Sequence, residues 1–253
     1  MRPADVNHIY CNGRHYDLQH KDLTQDFPFW IKQARKYGEP VLELACGTGR
    51  ITIPISKEGI KIAGVDISES MLAEARKKSL REEVDVDWIY ADCRDFDLNR
   101  KFALIFFPFN SMSLLYELKD IESCFSCVKK HLKPRGRFII DIFNPRLDIL
   151  LRDPTKRYPL IHGTYPDPNG KGLVEVGHNS IYDDATQVNR IKFYYTMGNL
   201  EEKVEKLNMR IFYPQEIDGF LKFNGFTVEK KLGDYDESPF KSGSPKQIII
   251  CYV

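Results

Sequence analysis

The run Val41-Leu42-Glu43-Leu44-Ala45-Cys46-Gly47-Thr48-Gly49-Arg50 constrains this chain more than any other stretch. A short apolar strand carrying one acid opens into a turn of small residues and then into a helix. Such a turn lets the backbone come close to a ligand, because no large side chain stands between them. The next apolar run, Ile60 to Val65, closes on a second acid, Asp66. Strand, glycine turn, helix and an acid about 20 residues on is the order in which open parallel sheets grip the ribose of a nucleotide.

Two nucleotide cofactors fit that order. A dinucleotide site requires G-x-G-x-x-G, and counted from Gly47 the last position falls at Thr52. Glu43 points the same way: a carboxylate would repel a pyrophosphate and attract the ammonium of a methionine moiety. The residues therefore favour S-adenosylmethionine over NAD.

Glu43 to Gly49 resembles motif I, E/D-x-G-x-G-x-G, of the class I S-adenosylmethionine-dependent methyltransferases, with Ala45 in place of the first glycine. Val65-Asp66-Ile67-Ser68 resembles motif II, Ile89-Tyr90-Ala91-Asp92-Cys93 motif III, and Ala103 to Ser111 motif IV. The resemblance implies cofactor contacts at Glu43, Ala45, Cys46, Gly47, Thr48, Gly49, Arg50, Asp66, Ile67, Met71, Asp92, Cys93, Arg94 and Phe107. Asp66 would take the ribose hydroxyls, Met71 would lie on the adenine and Asp92 would face its amino group. A Tyr-Asp lead-in like Tyr16-Asp17 implies that Tyr16 approaches the methionine end, where an aromatic face suits a sulfonium. Tyr10, Asn110, Ser111 and Asn144 are the candidate acceptor-side residues.

Apolar runs at about 41–44, 61–65, 86–90, 103–108 and 137–142 alternate with helical patterns at about 27–37, 49–58, 69–79 and 117–132. That alternation predicts right-handed βαβ units and a parallel sheet. Pro134-Arg135-Gly136 reads as the turn ending the last of these helices. Residues 152–171 read as an irregular loop rich in Pro and Gly. Three period-two runs follow, Leu173 to Tyr182, Gln187 to Met197 and Glu202 to Phe212, with turn signals at Asp183-Asp184 and Gly198-Asn199. A helix starting at Pro214 and strands at 226–232 and 247–253 complete the chain. The expected fold is a Rossmann-like, seven-stranded, mostly parallel α/β sheet, with the final strand antiparallel as the resemblance implies. An antiparallel β subdomain would be inserted over residues 146–212, and residues 1–145 and 213–253 would form the core, with Tyr10 to Trp30 as a lid.

Lys plus Arg number 37 against 36 Asp plus Glu, a formal charge of +1. Nucleic-acid binders show a basic excess or stripe, so an RNA acceptor is disfavoured. Met1-Arg2-Pro3-Ala4-Asp5 lacks an apolar signal core, and no run approaches the ~20 apolar residues of a membrane span. Six cysteines without a disulfide framework predict a reducing, cytoplasmic setting. Cys124-x-x-Cys127 reads as helix packing, and no metal site is expected. The resemblance implies a small-molecule acceptor, with a homodimer through the insert as a further expectation. No dedicated base stands out among His20, His162, His178 and Asp141. A non-catalytic cofactor binder and a protein or RNA acceptor stay open, as do the identity of the acceptor and the atom methylated.

Overall fold

Strand β1, Val41–Leu44, is buried along its whole length, and so is β2, Ile62–Asp66. Near-continuous apolar runs are what a strand needs when helices cover both faces of its sheet. The computed structural model describes residues 10, 12–198 and 202–253. Around β1 and β2 lie α1 Gly13–His20, α2 Phe27–Tyr37, α3 Thr52–Lys57, α4 Glu69–Arg81, β3 Asp87–Tyr90, β4 Phe102–Phe107, α5 Leu118–His131 and β5 Leu132–Phe143. A short α6, Leu147–Leu150, leads into β6 Tyr158–Pro166, β7 Leu173–Asp183, β8 Val188–Thr196 and β9 Lys203–Arg210. The chain then returns through α7 Pro214–Phe223, β10 Thr227–Leu232 and β11 Lys246–Tyr252.

The core sheet has the order β10-β11-β5-β4-β1-β2-β3. Only β11 runs antiparallel to its neighbours, pairing with both β5 and β10. The order reverses at β1, which pairs in parallel with β2 on one side and β4 on the other. Helices pack both faces. On one, Trp30 of α2 is fully buried and stacks on Phe106 at 4.6 Å between ring centroids. On the other, Phe125 of α5 packs edge-on against Phe138 and Phe226. Cys124 is buried in that helix, and Cys127 Sγ donates to the Arg94 carbonyl, so this cysteine pair serves packing.

Three sequence expectations change. The helix expected from residue 49 begins only at Thr52, leaving Gly49 and Arg50 in the turn. The turn expected at Pro134-Arg135-Gly136 is a bulge inside β5: Leu132 already pairs with Phe102, and the register jumps to Arg137 opposite Leu104. The region read as an irregular loop contains strand β6, so the inserted sheet has four strands, in the order β6-β7-β8-β9. Pro159, Gly163 and Pro166 hide the period-two pattern. An edge strand tolerates them, and its pairing with β7 skips from Pro159–Gly177 to Thr164–Glu175 around His162, at φ 60°. Phe193 and Tyr195 of β8 pack against Tyr165, Val174 and Val176 in the insert's own small core. Met1–Asp5 and the Asn199 half of the expected turn lie outside the described residues. Among the described residues, no helix is long and apolar enough to cross a membrane.

Gly64 of β2 is a place where close packing decides the residue. A Cβ there would lie 2.7 Å from Cys46 Sγ and 2.9 Å from the Trp88 ring. Gly64→Ala should cost about 1–3 kcal/mol, the usual range for overpacking, in urea denaturation. Cys46→Ala in the same chain should recover part of that loss, because the two residues share one space.

Candidate functional site

The carboxyl ends of β1 and β2 carry two turns that meet at Asp66. Ala45 leaves β1 with φ 53° and Gly47 follows at φ 55°, so the backbone coils back on itself within three residues. The coil aims the Gly47 amide at Asp66 Oδ2, which accepts it at 2.7 Å. Asp66 Oδ1 accepts the Ser68 amide at 2.8 Å, and Ser68 in turn caps α4. One carboxylate therefore joins the turns after β1 and β2, beside the strand-order reversal between β1 and β4 where open α/β sheets bind their ligands. Burial pushes the Asp66 carboxyl above its ordinary value, while the amide bonds pull it back.

A cleft opens at this point. Of the residues singled out from the sequence, Tyr16, Ala45, Gly47, Asp66, Ile67, Met71, Asp92, Cys93 and Phe107 line it, together with Tyr10 and Ser111. Val65, Ala91, Leu114 and Leu115 make its walls largely apolar. Tyr10 and Tyr16 come from the amino-terminal segment, which folds over the opening. The Tyr10 carbonyl accepts from Ser68 Oγ at 2.8 Å. Burial raises both phenols, Tyr16 to about 12, so both hydroxyls stay protonated donors. α1 is tied to the glycine turn through Asp17, which accepts from Thr48 Oγ1 at 2.5 Å and from Lys78 Nζ at 2.8 Å.

The remaining expected site residues lie elsewhere, most of them with a structural partner. Glu43 is buried on the α3 side of the sheet and accepts from the Thr52 hydroxyl. Thr48 holds Asp17. Arg50 makes two 2.8 Å bonds to Asp26 and one of 2.7 Å to the Leu23 carbonyl. Cys46 is buried, and Gly49 lies so close to Trp88 that a Cβ would collide with it. Arg94 pairs with Asp92 at 2.6 Å and with Asp120 at 3.0 Å, at the rim rather than on the lining. Asn144 Nδ2 donates to the Ser244 carbonyl. Asn110 stands between two lining residues without lining the cleft itself. A tight turn satisfies its exposed backbone with nearby side chains, and that requirement takes up polar groups that a motif alone assigns to a ligand.

Sequence reasoning missed Ser68, Phe109, Leu114 and Leu115. Ser68 had a signal, since a serine before Glu69-Ser70-Met71 is an N-cap pattern. The two leucines sit in the 3-10 turn Ser111–Leu114 and just after it, and no periodicity marks them. Of the four candidate bases, His162 is exposed in the β6 bulge and His178 lies on β7 of the inserted sheet. Asp141 is fully buried and bonded to Tyr235 and Lys246. His20 alone is near, stacked on Tyr16 at 4.2 Å, with burial lowering its pKa. Among the described residues, no group of three side chains is arranged to hold a metal ion.

Residues 41–136 match the family model described as a methyltransferase domain. The dTDP-3-amino-3,4,6-trideoxy-alpha-D-glucopyranose N,N-dimethyltransferase of Streptomyces venezuelae is 29% identical over 138 residues, which are 54% of this chain and 56% of that protein. The chain spans about half the length of most of the curated relatives it matches. A solved S-adenosylmethionine-dependent methyltransferase from Clostridium acetobutylicum shares the fold with a TM-score of 0.75 and 22% identity, over 95% of this chain and 97% of that one. The CcbJ methyltransferase of Streptomyces caelestis does so with a TM-score of 0.76 and 21% identity, over 90% and 95% of the two chains.

Two predictions follow from the turn. Ala45→Gly should stabilise the protein by about 0.5–1 kcal/mol in urea denaturation, because it relieves a left-handed non-glycine residue at some cost in unfolded-chain entropy. Glu43 is pushed up by burial from 4.5 to about 8. Between those values the folded state holds a proton that the unfolded state has released. Its contribution to stability is therefore complete below the lower value and is lost as the pH rises toward the upper one, by up to about 1.4 kcal/mol per unit. From pH 5 to 8 the wild-type Tm should fall relative to that of Glu43→Gln. Parallel curves would contradict the assignment.

Proposed function

We propose that this chain, in which residues 41–136 match a methyltransferase domain model and whose fold is shared by a solved S-adenosylmethionine-dependent methyltransferase, is an S-adenosylmethionine-dependent methyltransferase acting on nitrogen or oxygen of a small molecule. The observation that carries the reading is Asp66, held by amides of the turns after β1 and β2, at the edge of a cleft with apolar and aromatic walls. The cleft fits the cofactor chemically. The Asp66 oxygens keep lone pairs for a ribose hydroxyl pair, Met71 and the adjacent apolar walls suit a purine, and Asp92 suits its amino group. The Tyr16 and Phe109 rings suit a sulfonium, since ring quadrupoles attract cations.

Bound there, S-adenosylmethionine supplies an activated methyl group. The chain's own contribution is alignment and exclusion of water, which can provide much of the acceleration. The amino-terminal segment covers the cleft, so Tyr10 and Tyr16 shield the reacting groups. An amine acceptor is the favoured substrate class, supported by the N,N-dimethyltransferase relative. The insert over residues 146–212 forms the acceptor-side subdomain, supported by contacts between β9 and the 3-10 turn next to the cleft. A homodimer through the insert is supported by the exposed Leu173 and Ile181. A cytoplasmic setting is supported by the free thiols of Cys46, Cys93, Cys124, Cys127 and Cys251.

Calorimetric titration tests the cofactor. Wild-type protein should bind S-adenosylhomocysteine, and Asp66→Ala should weaken that binding by about 10- to 100-fold, the value of a hydrogen bond to a charged group. Binding of NAD in its place, or of neither, would overturn the proposal.

A further inference from the structure

The turn after β3 brings a third thiol to the cysteine pair of α5. In that turn the Asp92 carboxylate accepts the Arg94 amide at 2.9 Å, and the Asp92 carbonyl accepts the Asp95 amide at 3.0 Å. Cys93, between them, lines the cleft together with Ala91 and Asp92. Behind the turn stands α5. Asp120, Cys124 and Cys127 are spaced four and three residues apart, so they fall on one face of that helix. Each of them meets the turn. Arg94 pairs with Asp120 at 3.0 Å, and Cys127 Sγ donates to the Arg94 carbonyl at 3.2 Å. Between those two fastenings the Cys93 thiol is hydrogen-bonded to the Cys124 thiol.

The three cysteines are not equivalent. Cys124 has no exposed surface and belongs to the core on the α5 side of the sheet, against which Cys93 and Cys127 pack half-buried. The bond to Cys93, and then burial, push the Cys124 thiol well up, so it keeps its proton. The Cys93 thiol in turn donates to the Asp92 carboxylate. A solute in water does not reach Cys124, and Cys127 is turned to a backbone carbonyl. Cys93 is the one of the three that lines the cleft, where a small oxidant enters when no cofactor is bound. Thiol oxidation follows exposure, and a second thiol in contact converts the first oxidation product into a disulfide.

We propose that Cys93 is a peroxide-sensitive modification site, and that Cys124 closes on it as a disulfide in competition with the cofactor. The competition rests on the methyltransferase reading given above; the disulfide does not. The Cys93 sulfur attacks hydrogen peroxide and the O–O bond breaks. One oxygen stays on the sulfur as a sulfenic acid, and the other leaves with the thiol proton as water. The Cys124 sulfur then attacks the oxidised sulfur, the S–O bond breaks, and the oxygen leaves with the Cys124 proton as a second water. Two thiols are oxidised and one peroxide is reduced. A dithiol reductant reverses the bond by exchange. Bonding draws the sulfurs from contact to about 2.0 Å. That pulls the turn toward α5 and takes from Asp92 the thiol that donates to it, at the end of the cleft that suits the adenine.

The test treats reduced protein with hydrogen peroxide, with and without saturating S-adenosylhomocysteine, blocks the remaining thiols and maps the peptides by tandem mass spectrometry. Wild-type protein should yield a Cys93–Cys124 cross-linked peptide, and bound S-adenosylhomocysteine should slow its formation by about tenfold or more, since access controls the oxidation. The cross-linked protein should bind S-adenosylhomocysteine about tenfold more weakly, the scale of one lost hydrogen bond, and a dithiol reductant should restore the affinity. Cys124→Ala should form no cross-link and should leave Cys93 as a sulfenic acid that dimedone traps. Cys127→Ala should cross-link as the wild type does. A cross-link from Cys127 in place of Cys124, wild-type oxidation without a cross-link, or equal S-adenosylhomocysteine affinity before and after cross-linking would overturn the inference while leaving the methyltransferase reading standing. Reduced protein that binds no S-adenosylhomocysteine would overturn that reading, and the competition with it, whatever the peptide map shows.

Discussion

The Asp66 carboxylate is the constraint from which the site is built. It accepts one amide from the turn after β1 and one from the turn after β2. Those turns lead in the same direction, to β2 and then to β3 at the edge of the sheet, and the order reverses on the other side of β1, toward β4. Without that joint, each turn would have orphaned amides at the edge of a cleft, and buried amides without partners are costly. The charge that satisfies the backbone is also the group best placed to receive hydroxyl donors. Structural and functional demands fall on one side chain.

Around this joint, polar side chains are used mainly to fasten elements. Asp17 ties α1 to the glycine turn and to α4 through Thr48 and Lys78. Arg50 ties the segment before α2 to the same turn through Asp26 and Leu23, and lays its guanidinium over Phe109. The lid, the turn and the β4 exit loop therefore form one connected layer. A shift in any of them is felt by the rings that wall the cleft, because packed interiors transmit displacement instead of absorbing it.

Asp141 does for the loop after β4 what Asp66 does for the turns after β1 and β2. Both sit on core strands, both accept backbone amides from an irregular loop, and both are shielded from water. They differ in their partners: Asp66 accepts the amides of Gly47 and Ser68, whereas Asp141 also has Lys246 and Tyr235. A buried carboxylate with a full set of donors is fixed in place, which suits a group that shapes a loop rather than one that moves protons.

The seven-stranded core was legible because its signals are local. Apolar runs, glycine turns and helical periods lie within a dozen residues of one another, and the parallel order follows from connection handedness. Ala45, Gly47, Asp66, Met71 and Asp92 were legible for the same reason, since a turn beside a ligand demands small residues and placed acids in sequence order. What tertiary structure decided was the assignment of side chains whose partners are distant in the chain. Nothing near Arg50, Thr48 or Asn144 announces Asp26, Asp17 or the Ser244 carbonyl, the partners the fold gives them. β6 stayed hidden because an edge strand can carry proline and a bulge, which erase the period-two pattern. Phe109 and Asn110 owe their conformation to Asp141, Tyr235 and Lys246, which lie between 31 and 137 residues away in sequence. A sequence records which residues can form a turn; only the packed chain determines which carboxylate, and from how far, will hold it.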